Sequence, residues 1–271
     1  MKPLVFTLRS APEERLDLSC LTPDRLKDMQ VTDMARLEIG TRRVPVRVGD
    51  VFAISGEDSA NIVFSGGSSR FDCIGAGMST GAIRIEGDVG ARVGRKMSGG
   101  HIVVAGQAGI EAGSGMSGGR LEIEGSAGDS AGGPLAGEMQ GMSGGLLIIR
   151  GKAGHKTGER MRRGVIAVLG GCGDYAGLEM VAGTIVVSGP VGQMPGHLMK
   201  RGSLLFDRRP EHLSPTFVDC GPVDTPFTTL FDRYLIREGI CAGPLLGARP
   251  AKFGGDNGVS GKGEILFRQG R

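Results

Sequence analysis

Hydrophobic residues along this chain occur in short alternating runs that glycine-rich segments separate. A typical run reads HIVVAG, in which Ile102 and Val104 alternate with other residues. Such alternation is typical of short strands that bury one face. Glycine interrupts the intervals between the runs, which disfavours helices there. The pattern therefore predicts many short strands and few helices.

The runs repeat with a constant period, and a methionine marks the same position in each repeat. These methionines recur at every nineteenth position within two sets, and a longer interval separates the sets because of an insertion around 132–138. They are Met78, Met97, Met116, Met142, Met161, Met180 and Met199. A fixed period of about 20 residues is typical of a repeat protein in which each unit stacks on the next.

Aliphatic residues occupy equivalent positions in every repeat. At the fifth position after each methionine stand Ile83, Ile102, Leu121, Leu147, Ile166, Ile185 and Leu204. Such columns are expected when each repeat is one rung and the strands of successive rungs pair in parallel, about 4.8 Å apart. We therefore predict an all-β fold, a right-handed parallel β-helix (solenoid) of about seven 19-residue rungs.

The repeats divide the chain into three predicted parts. Residues 1–50 form an N-terminal extension, residues 51–208 form the β-helix, and residues 209–271 form a C-terminal extension. The runs VFAISG and NIVFSGG, within 51–67, are interpreted as degenerate rungs that cap the β-helix. The sequence of 226–239 predicts a short helix in the C-terminal extension.

Composition limits the classes of function that this chain can have. Its 271 residues include 50 glycines and no tryptophan, and its net charge is only +3. The basic stripe and stacking aromatics of a nucleic-acid-binding protein are missing. The five cysteines are far apart, which argues against disulfides and against zinc or iron–sulfur sites. Apolar runs are too short for a signal peptide or a membrane span, so we expect a cytoplasmic protein that binds neither nucleic acid nor membrane.

Residues that could perform catalysis do not converge in the repeat pattern. The histidines take different positions in the repeats, and the common hydrolase, zinc-protease and phosphate-loop motifs are absent. Cys172 falls in a column of small residues, where it is expected to fill the core. We predict no catalytic residue and no metal site in this chain. A solvated charged face is expected from Arg84, Glu86, Arg120, Glu122 and Glu124.

Three adjacent repeats place apolar residues at strand positions that should point outward. These residues are Leu146, Ile148, Val165, Ala167, Leu169 and Val186. Monomeric proteins seldom leave a patch of this size exposed. We predict that the patch is an interface with a partner subunit. The alternative is that the N- or C-terminal segment of the same chain covers it.

Basic residues recur at equivalent positions two rungs apart, which corresponds to about 10 Å. Arg162 and Arg163 follow Met161 as Lys200 and Arg201 follow Met199, and Lys156 and Arg160 lie close to the first pair. A stacked row of cations could hold a polyanion. It could equally be a solubilising edge or an edge that pairs with another subunit.

The repeated unit and the leader that precedes it carry a resemblance to a known family. Units of the form GMSGG-x-Φ-x-Φ-x-G-x-AG, where Φ is aliphatic, span 75–206, and the leader reads FTLRSAPEERLDLSCLTPDRL. Together they resemble the C subunit of formylmethanofuran dehydrogenases over essentially the whole chain. The repeat alone is also similar to the β-helical C-terminal domain of the glutamate synthase large subunit, a structural linker.

The family resemblance implies a structural role in an enzyme complex of one-carbon metabolism. The Arg-, Ala- and Gly-rich usage and the leader look more like the branch of methylotrophic bacteria, whose formyltransferase/hydrolase complex acts in formaldehyde oxidation. That complex passes a formyl group from formyl-tetrahydromethanopterin to a methanofuran-type carrier and releases formate. The resemblance implies hetero-oligomeric partners: an amidohydrolase-like subunit, a formyltransferase subunit and a third large subunit. Zinc, tetrahydromethanopterin and the carrier would then serve the complex, with no cofactor bound by this chain.

Two alternatives remain open from the sequence. The chain could be the C subunit of an archaeal tungsten or molybdenum formylmethanofuran dehydrogenase. It could instead be an independent enzyme or ligand-binding module with a site in the 129–141 insertion or in the C-terminal tail. The resemblance further implies that carriers of the methanofuran type bear glutamates in their tails, so the basic row is a candidate site for an anionic carrier tail.

Overall fold

The structure is a computed structural model that describes residues 2–40 and 45–269. The predicted extensions 1–50 and 209–271 therefore each contain a few residues that lie outside the described part, namely 1, 41–44 and 270–271. Within the described ranges the chain is mostly sheet with few helices, which confirms the all-β class. The helices are α1 (Pro23–Leu26), α2 (Val31–Met34), α3 (Val48–Val51) and α4 (Pro226–Arg237).

Most of the strands join one mixed sheet of 13 strands that does not close into a barrel. The strands are β1 (Pro3–Leu8), β2 (Leu16–Asp17), β3 (Phe52–Ser55), β4 (Asp58–Ser65), β5 (Phe71–Asp72), β6 (Ala82–Ile85), β7 (His101–Val104), β8 (Ser117–Ile123), β9 (Ser143–Ile149), β10 (Arg163–Val168), β11 (Thr184–Val187), β12 (Arg201–Phe206), β13 (Val218–Pro222), β14 (Ala251–Gly255) and β15 (Lys262–Phe267). The large sheet has the order β13-β14-β15-β12-β11-β10-β9-β8-β7-β6-β4-β1-β3, and β2 pairs separately with β5.

The repeats form the centre of this sheet, where β6 to β12 pair in parallel and in chain order. The register places the predicted aliphatic column in one continuous row. That row contains Ile62, Ile83, Ile102, Leu121, Leu147, Ile166, Ile185, Leu204 and Ile265. The seven methionines of the repeat have no exposed surface. The core is therefore built from stacked equivalent residues, as the period predicts.

A second row of parallel bridges links the repeats away from the main strands. It joins Ser68, Val89, Ala108, Ala127, Ala153, Cys172 and Val191 in succession. Cys172 is only 8% exposed in this row, and burial raises the pKa of its thiol to about 11. Its predicted role as a core residue is confirmed.

Both ends of the repeat region continue into strands of the flanking segments. β4, which contains NIVF, pairs in parallel with β6, so that run behaves as a further repeat. The run VFAISG differs from its interpretation as a rung, because β3 lies antiparallel to β1 at the edge of the sheet. At the other end, β15 pairs in parallel with β12, and β14 and β13 add antiparallel strands.

Candidate functional site

The C-terminal segment of the chain covers the apolar patch on the repeats. The helix predicted over 226–239 is observed as α4. Leu235 of α4 and Ile240, Leu245 and Leu246 of the following loop join one buried cluster with the patch. The patch residues in this cluster are Leu146, Ile148, Val165, Ala167, Leu169 and Val186, of which Val165 and Leu169 are partly buried. These six side chains are thus no free surface for a partner subunit, which corrects that prediction in favour of the alternative.

A buried carboxylate fixes the loop that follows α4. Asp232 is 5% exposed and accepts backbone N–H bonds from Leu245, Leu246 and Gly247 at 2.8, 3.2 and 3.1 Å. Three donors compensate for the burial of the charge. The carboxylate therefore holds the loop against the helix.

Charged residues of the repeats hold the C-terminal end of α4. Arg120 lies 2.9 Å from a carboxylate oxygen of Glu122 and 3.3 Å from one of Glu238. Arg150 donates from Nε to Glu122 at 2.7 Å and from its guanidinium to the Gly239 carbonyl at 3.2 Å. Cations near the last carbonyls of a helix stabilise its C-terminus. Arg120 and Glu122 are therefore part of a network under the helix rather than of the expected solvated face.

The network changes the acidity of Glu122, whose side chain is only 13% exposed. Burial alone would raise its pKa, but hydrogen bonds from Arg120 and Arg150 outweigh this and lower the pKa below the ordinary value. The carboxylate is accordingly charged in the folded protein at neutral pH.

The predicted basic row lies where successive strands begin. Arg163 is the first residue of β10 and Arg201 the first of β12, with β11 between them. Arg162 and Lys200 also take equivalent places, since their N–H groups donate to Met142 and Met180 at 2.8 Å. All four side chains are exposed. The structure therefore brings these four residues of the predicted site together along one edge.

The other two basic residues of the predicted row have different surroundings. The Nε of Arg160 is 2.7 Å from a carboxylate oxygen of Glu179, one repeat later. This ion pair uses the charge of Arg160 within the chain. Lys156 is exposed and adopts a left-handed backbone with φ of 56°.

One basic residue of this edge is missing from the sequence prediction. Lys262 is the first residue of β15 and pairs directly with Arg201 of β12. The sequence contained a signal for it, because KGEILF matches RGSLLF of β12 position by position. No methionine precedes this strand at the position where the other repeats have one. The methionine period therefore did not reveal it as an additional repeat strand. We call Arg162, Arg163, Lys200, Arg201 and Lys262 the cationic edge.

His155, His197 and the insertion each make contacts with other residues of the chain. His155 accepts a backbone N–H bond from Asp174 at 3.1 Å through Nδ1, and the His197 ring lies 6.1 Å from that of Tyr175. In the insertion, Glu138 pairs with Lys96 at 2.9 Å and Arg95 at 3.0 Å. The hydrogen bond from Lys96 lowers the pKa of Glu138 to about 2. These contacts attach the insertion to an earlier repeat. Within residues 2–40 and 45–269, no group of three or more His, Cys, Asp and Glu residues could hold a metal ion.

Fold and surface together define a repeat protein built on stacked parallel strands, whose surface presents charged and apolar areas. None of the four helices in the described ranges is long and apolar enough to span a membrane. No model of a known protein family matches the sequence.

Two comparisons with known proteins place the chain more closely. The C subunit of the formyltransferase/hydrolase complex Fhc from Methylorubrum extorquens is 45% identical over 86 residues, which is 32% of this chain and 32% of that relative. A chain in the crystal structure of the formyltransferase/hydrolase complex (FhcABCD) from the same organism, in complex with methylofuran, matches with a TM-score of 0.94. That match has 42% identity and covers 98% of this chain and 100% of the other. The chain therefore belongs to the family of the C subunit of the formyltransferase/hydrolase complex, and the resemblance inferred from the repeats is confirmed.

Proposed function

We propose that this chain is a non-catalytic scaffold subunit of a formyltransferase/hydrolase complex. The complex transfers the formyl group of formyl-tetrahydromethanopterin to a methanofuran-type carrier and releases formate, as a step of formaldehyde oxidation. The observation that carries this proposal is the match to a chain of the FhcABCD complex over 98% of the present chain at 42% identity. That complex was crystallised with methylofuran, which supports a carrier of this type.

The architecture that suits a scaffold is a right-handed β-helix of about seven 19-residue rungs, which β4 and β15 extend by one strand at each end. Two parallel rows run along the repeats, one through the main strands and one through single bridges. Two such rows per repeat are expected when the chain winds once around an axis in each repeat. We propose that this body lies within 51–208, where β3 is an antiparallel edge strand rather than a rung, and that the extensions at 1–50 and 209–271 continue its sheet.

The reactive parts of the complex belong to the other subunits in this proposal. These partners are an amidohydrolase-like subunit, a formyltransferase subunit and a third large subunit, which together form a hetero-oligomer in the cytoplasm. Zinc and tetrahydromethanopterin bind to those subunits. The matched chain comes from the FhcABCD complex, whose name denotes several different subunits. This match supports a hetero-oligomer.

The cationic edge is a site for the anionic tail of the carrier. Arg201 and Lys262, the first residues of β12 and β15, are paired neighbours. A flexible chain of carboxylates could follow the row of positions where these strands begin. Each exposed contact contributes about 0.2–1 kcal/mol. A row of weak contacts guides a mobile tail without trapping it, which suits a carrier that moves between two active sites.

Formate release tests the proposed function. The assay compares the isolated chain with the native complex purified through a tag on this chain, using formyl-tetrahydromethanopterin and the carrier. We expect formate only from the complex. Formate release by the isolated chain at the rate of the complex would contradict the scaffold role. A tagged chain that recovers no formyltransferase/hydrolase activity would contradict the assignment to this complex.

A further inference from the structure

The outer side of α4 carries a row of aromatic and aliphatic side chains at helical spacing. Phe227 and Leu230 are 38% and 61% exposed, respectively. The ring centroids of Phe227 and Phe231 lie 5.5 Å apart, and those of Phe231 and Tyr234 lie 5.4 Å apart. Arg237 extends the row, since its guanidinium carbon lies 5.6 Å from the centroid of the Tyr234 ring. Phe231 and Tyr234 are partly buried, because they also pack against the cluster beneath the helix. We call the exposed residues Phe227, Leu230 and Arg237 the outer face of α4.

This surface has the composition of the energetic centre of a protein interface. Aromatic residues and arginine are enriched where subunits bury their contacts, and a few such residues account for most of the binding energy. Exposed apolar side chains scattered singly need no explanation, but Phe227 and Leu230 lie about one helical turn apart on the same helix.

The helix that carries the row is held rigidly. Asp232 fixes the loop after α4 by three backbone bonds, and Arg120 and Arg150 bind the carbonyls of Glu238 and Gly239 at 3.2 Å. A surface that is already ordered loses little conformational entropy when it binds. The outer face of α4 is therefore prepared for contact before a partner arrives.

Charge indicates the kind of partner. Arg233 is exposed on α4, and the side chain of Arg237 is 75% exposed. The carboxylate of Glu238 is shared between Arg120 and Arg237, so it offsets only part of this positive charge. A second copy of the chain in a two-fold contact would place arginines against arginines, which is unfavourable.

We propose that the outer face of α4 docks an apolar segment of another subunit that is flanked by aspartate or glutamate. This inference rests on the proposed function, because it takes the partner from the same complex. The sequence analysis expected the subunit interface on the apolar patch of the repeats. The proposed interface is instead the outer face of α4, the helix that covers this patch.

A pair of opposite charges at one position tests the proposal. Leu230→Glu and Leu230→Arg both remove the exposed apolar side chain, but only Leu230→Glu repels an acidic partner. Each variant is expressed as the tagged chain within the complex, and the retained subunits are quantified after a wash at low ionic strength, where charge repulsion is least screened. We expect Leu230→Glu to reduce retention of one subunit by about tenfold, as for a central contact, and Leu230→Arg to reduce it less.

Controls separate failure of this inference from failure of the proposed function. Ile110, which is 48% exposed on a turn of the repeats, is changed to Ser as a matched apolar-to-polar control that should retain all subunits. Thermal melting of each variant checks the fold, and Leu230→Ser replaces any variant that melts early. Full retention with a folded Leu230→Glu variant, or equal loss with both charges, would overturn the inference. So would a wild-type homodimer that Leu230→Glu converts to a monomer. If the wild-type chain recovers no other subunit, the proposed function fails first.

Discussion

At the residue scale, the repeat period predicted the core, but it did not predict the turns. The methionine and aliphatic columns follow from the constant period of the repeat, because equivalent positions must stack. The turns also contain residues other than glycine in the left-handed region, such as Lys96, Glu111 and Glu179, with φ of 52°, 62° and 51°. Residues other than glycine rarely adopt this backbone conformation. These positions hold different residue types from one repeat to the next, so the sequence did not predict it. Stacking of each turn on its neighbours imposes the conformation.

Gly144 provides a test of the close approach between successive strands. A Cβ at this position would overlap the carbonyl oxygen of Ser117 on the preceding repeat. Because that neighbour is backbone, relief requires a shift of the strand, so Gly144→Ala should lower the free energy of unfolding by about 1–3 kcal/mol. Urea unfolding measures the change. Gly243→Ala is the control, since no atom lies within 4 Å of its Cβ and its φ is not positive; its stability should be unchanged or slightly higher. Equal effects of both changes would contradict the close approach.

At the element scale, the existence of the strands and of α4 could be predicted, but their packing could not. Local alternation shows a strand, and the 226–239 sequence shows a helix. That α4 returns to cover Ile148 and Ala167 depends on contacts between residues far apart in the chain, which local patterns do not specify. For the same reason the prediction assigned Arg120 and Glu122 to solvent, although they lie under the end of α4.

The attachment of α4 should depend on pH through Glu122. Its pKa in the folded protein is lowered, so its contribution to stability is present above its ordinary pKa of 4.5 and is lost as the pH falls through the folded value. Glu122→Gln should therefore cost about 1–3 kcal/mol at pH 7, as expected for hydrogen bonds to a charged group. The difference from wild type should shrink as the pH falls below 4.5 and through the lower pKa of the folded protein. Urea unfolding across pH 3–7 provides the measurement.

Glu124→Gln is the matched control for this pH dependence, because Glu124 is exposed two residues farther along the same strand direction. It should change stability by less than about 0.5 kcal/mol at every pH. A pH-independent loss in Glu122→Gln would show that packing, rather than charge, holds the helix.

The cationic edge gives a second test at this scale. Reversal of Arg162, Arg163, Lys200 and Arg201 to Glu should raise the apparent KM for the carrier several-fold in the intact complex, since four weak contacts become repulsive. The effect should be smaller at high ionic strength, because salt screens exposed charges. Reversal of the exposed Arg25 and Arg84 serves as the control. Unchanged kinetics at low ionic strength would leave the cationic edge as ordinary surface charge.

At the scale of the whole molecule, the sheet ends in antiparallel strands that limit further pairing. β13 at one edge contains Pro222 and a register irregularity between Asp219 and Pro222, features that discourage edge-to-edge association. Addition of further copies of the chain at this edge of the sheet is therefore disfavoured. The outer face of α4, by contrast, is free of such features. The fold could be predicted as all-β from periodicity. Membership of a complex came from the family resemblance, because physical patterning alone does not name a partner.

We expect this chain to work as one subunit of a hetero-oligomeric complex. Native mass spectrometry of the protein, purified at its natural expression level through a terminal tag, is the decisive test. We expect an assembly that contains this chain with at least three other polypeptides, and dissociation that releases the chain at 28.1 kDa plus the mass of the tag. A single species with the mass of the chain alone, or of a multiple of it, would contradict the claim.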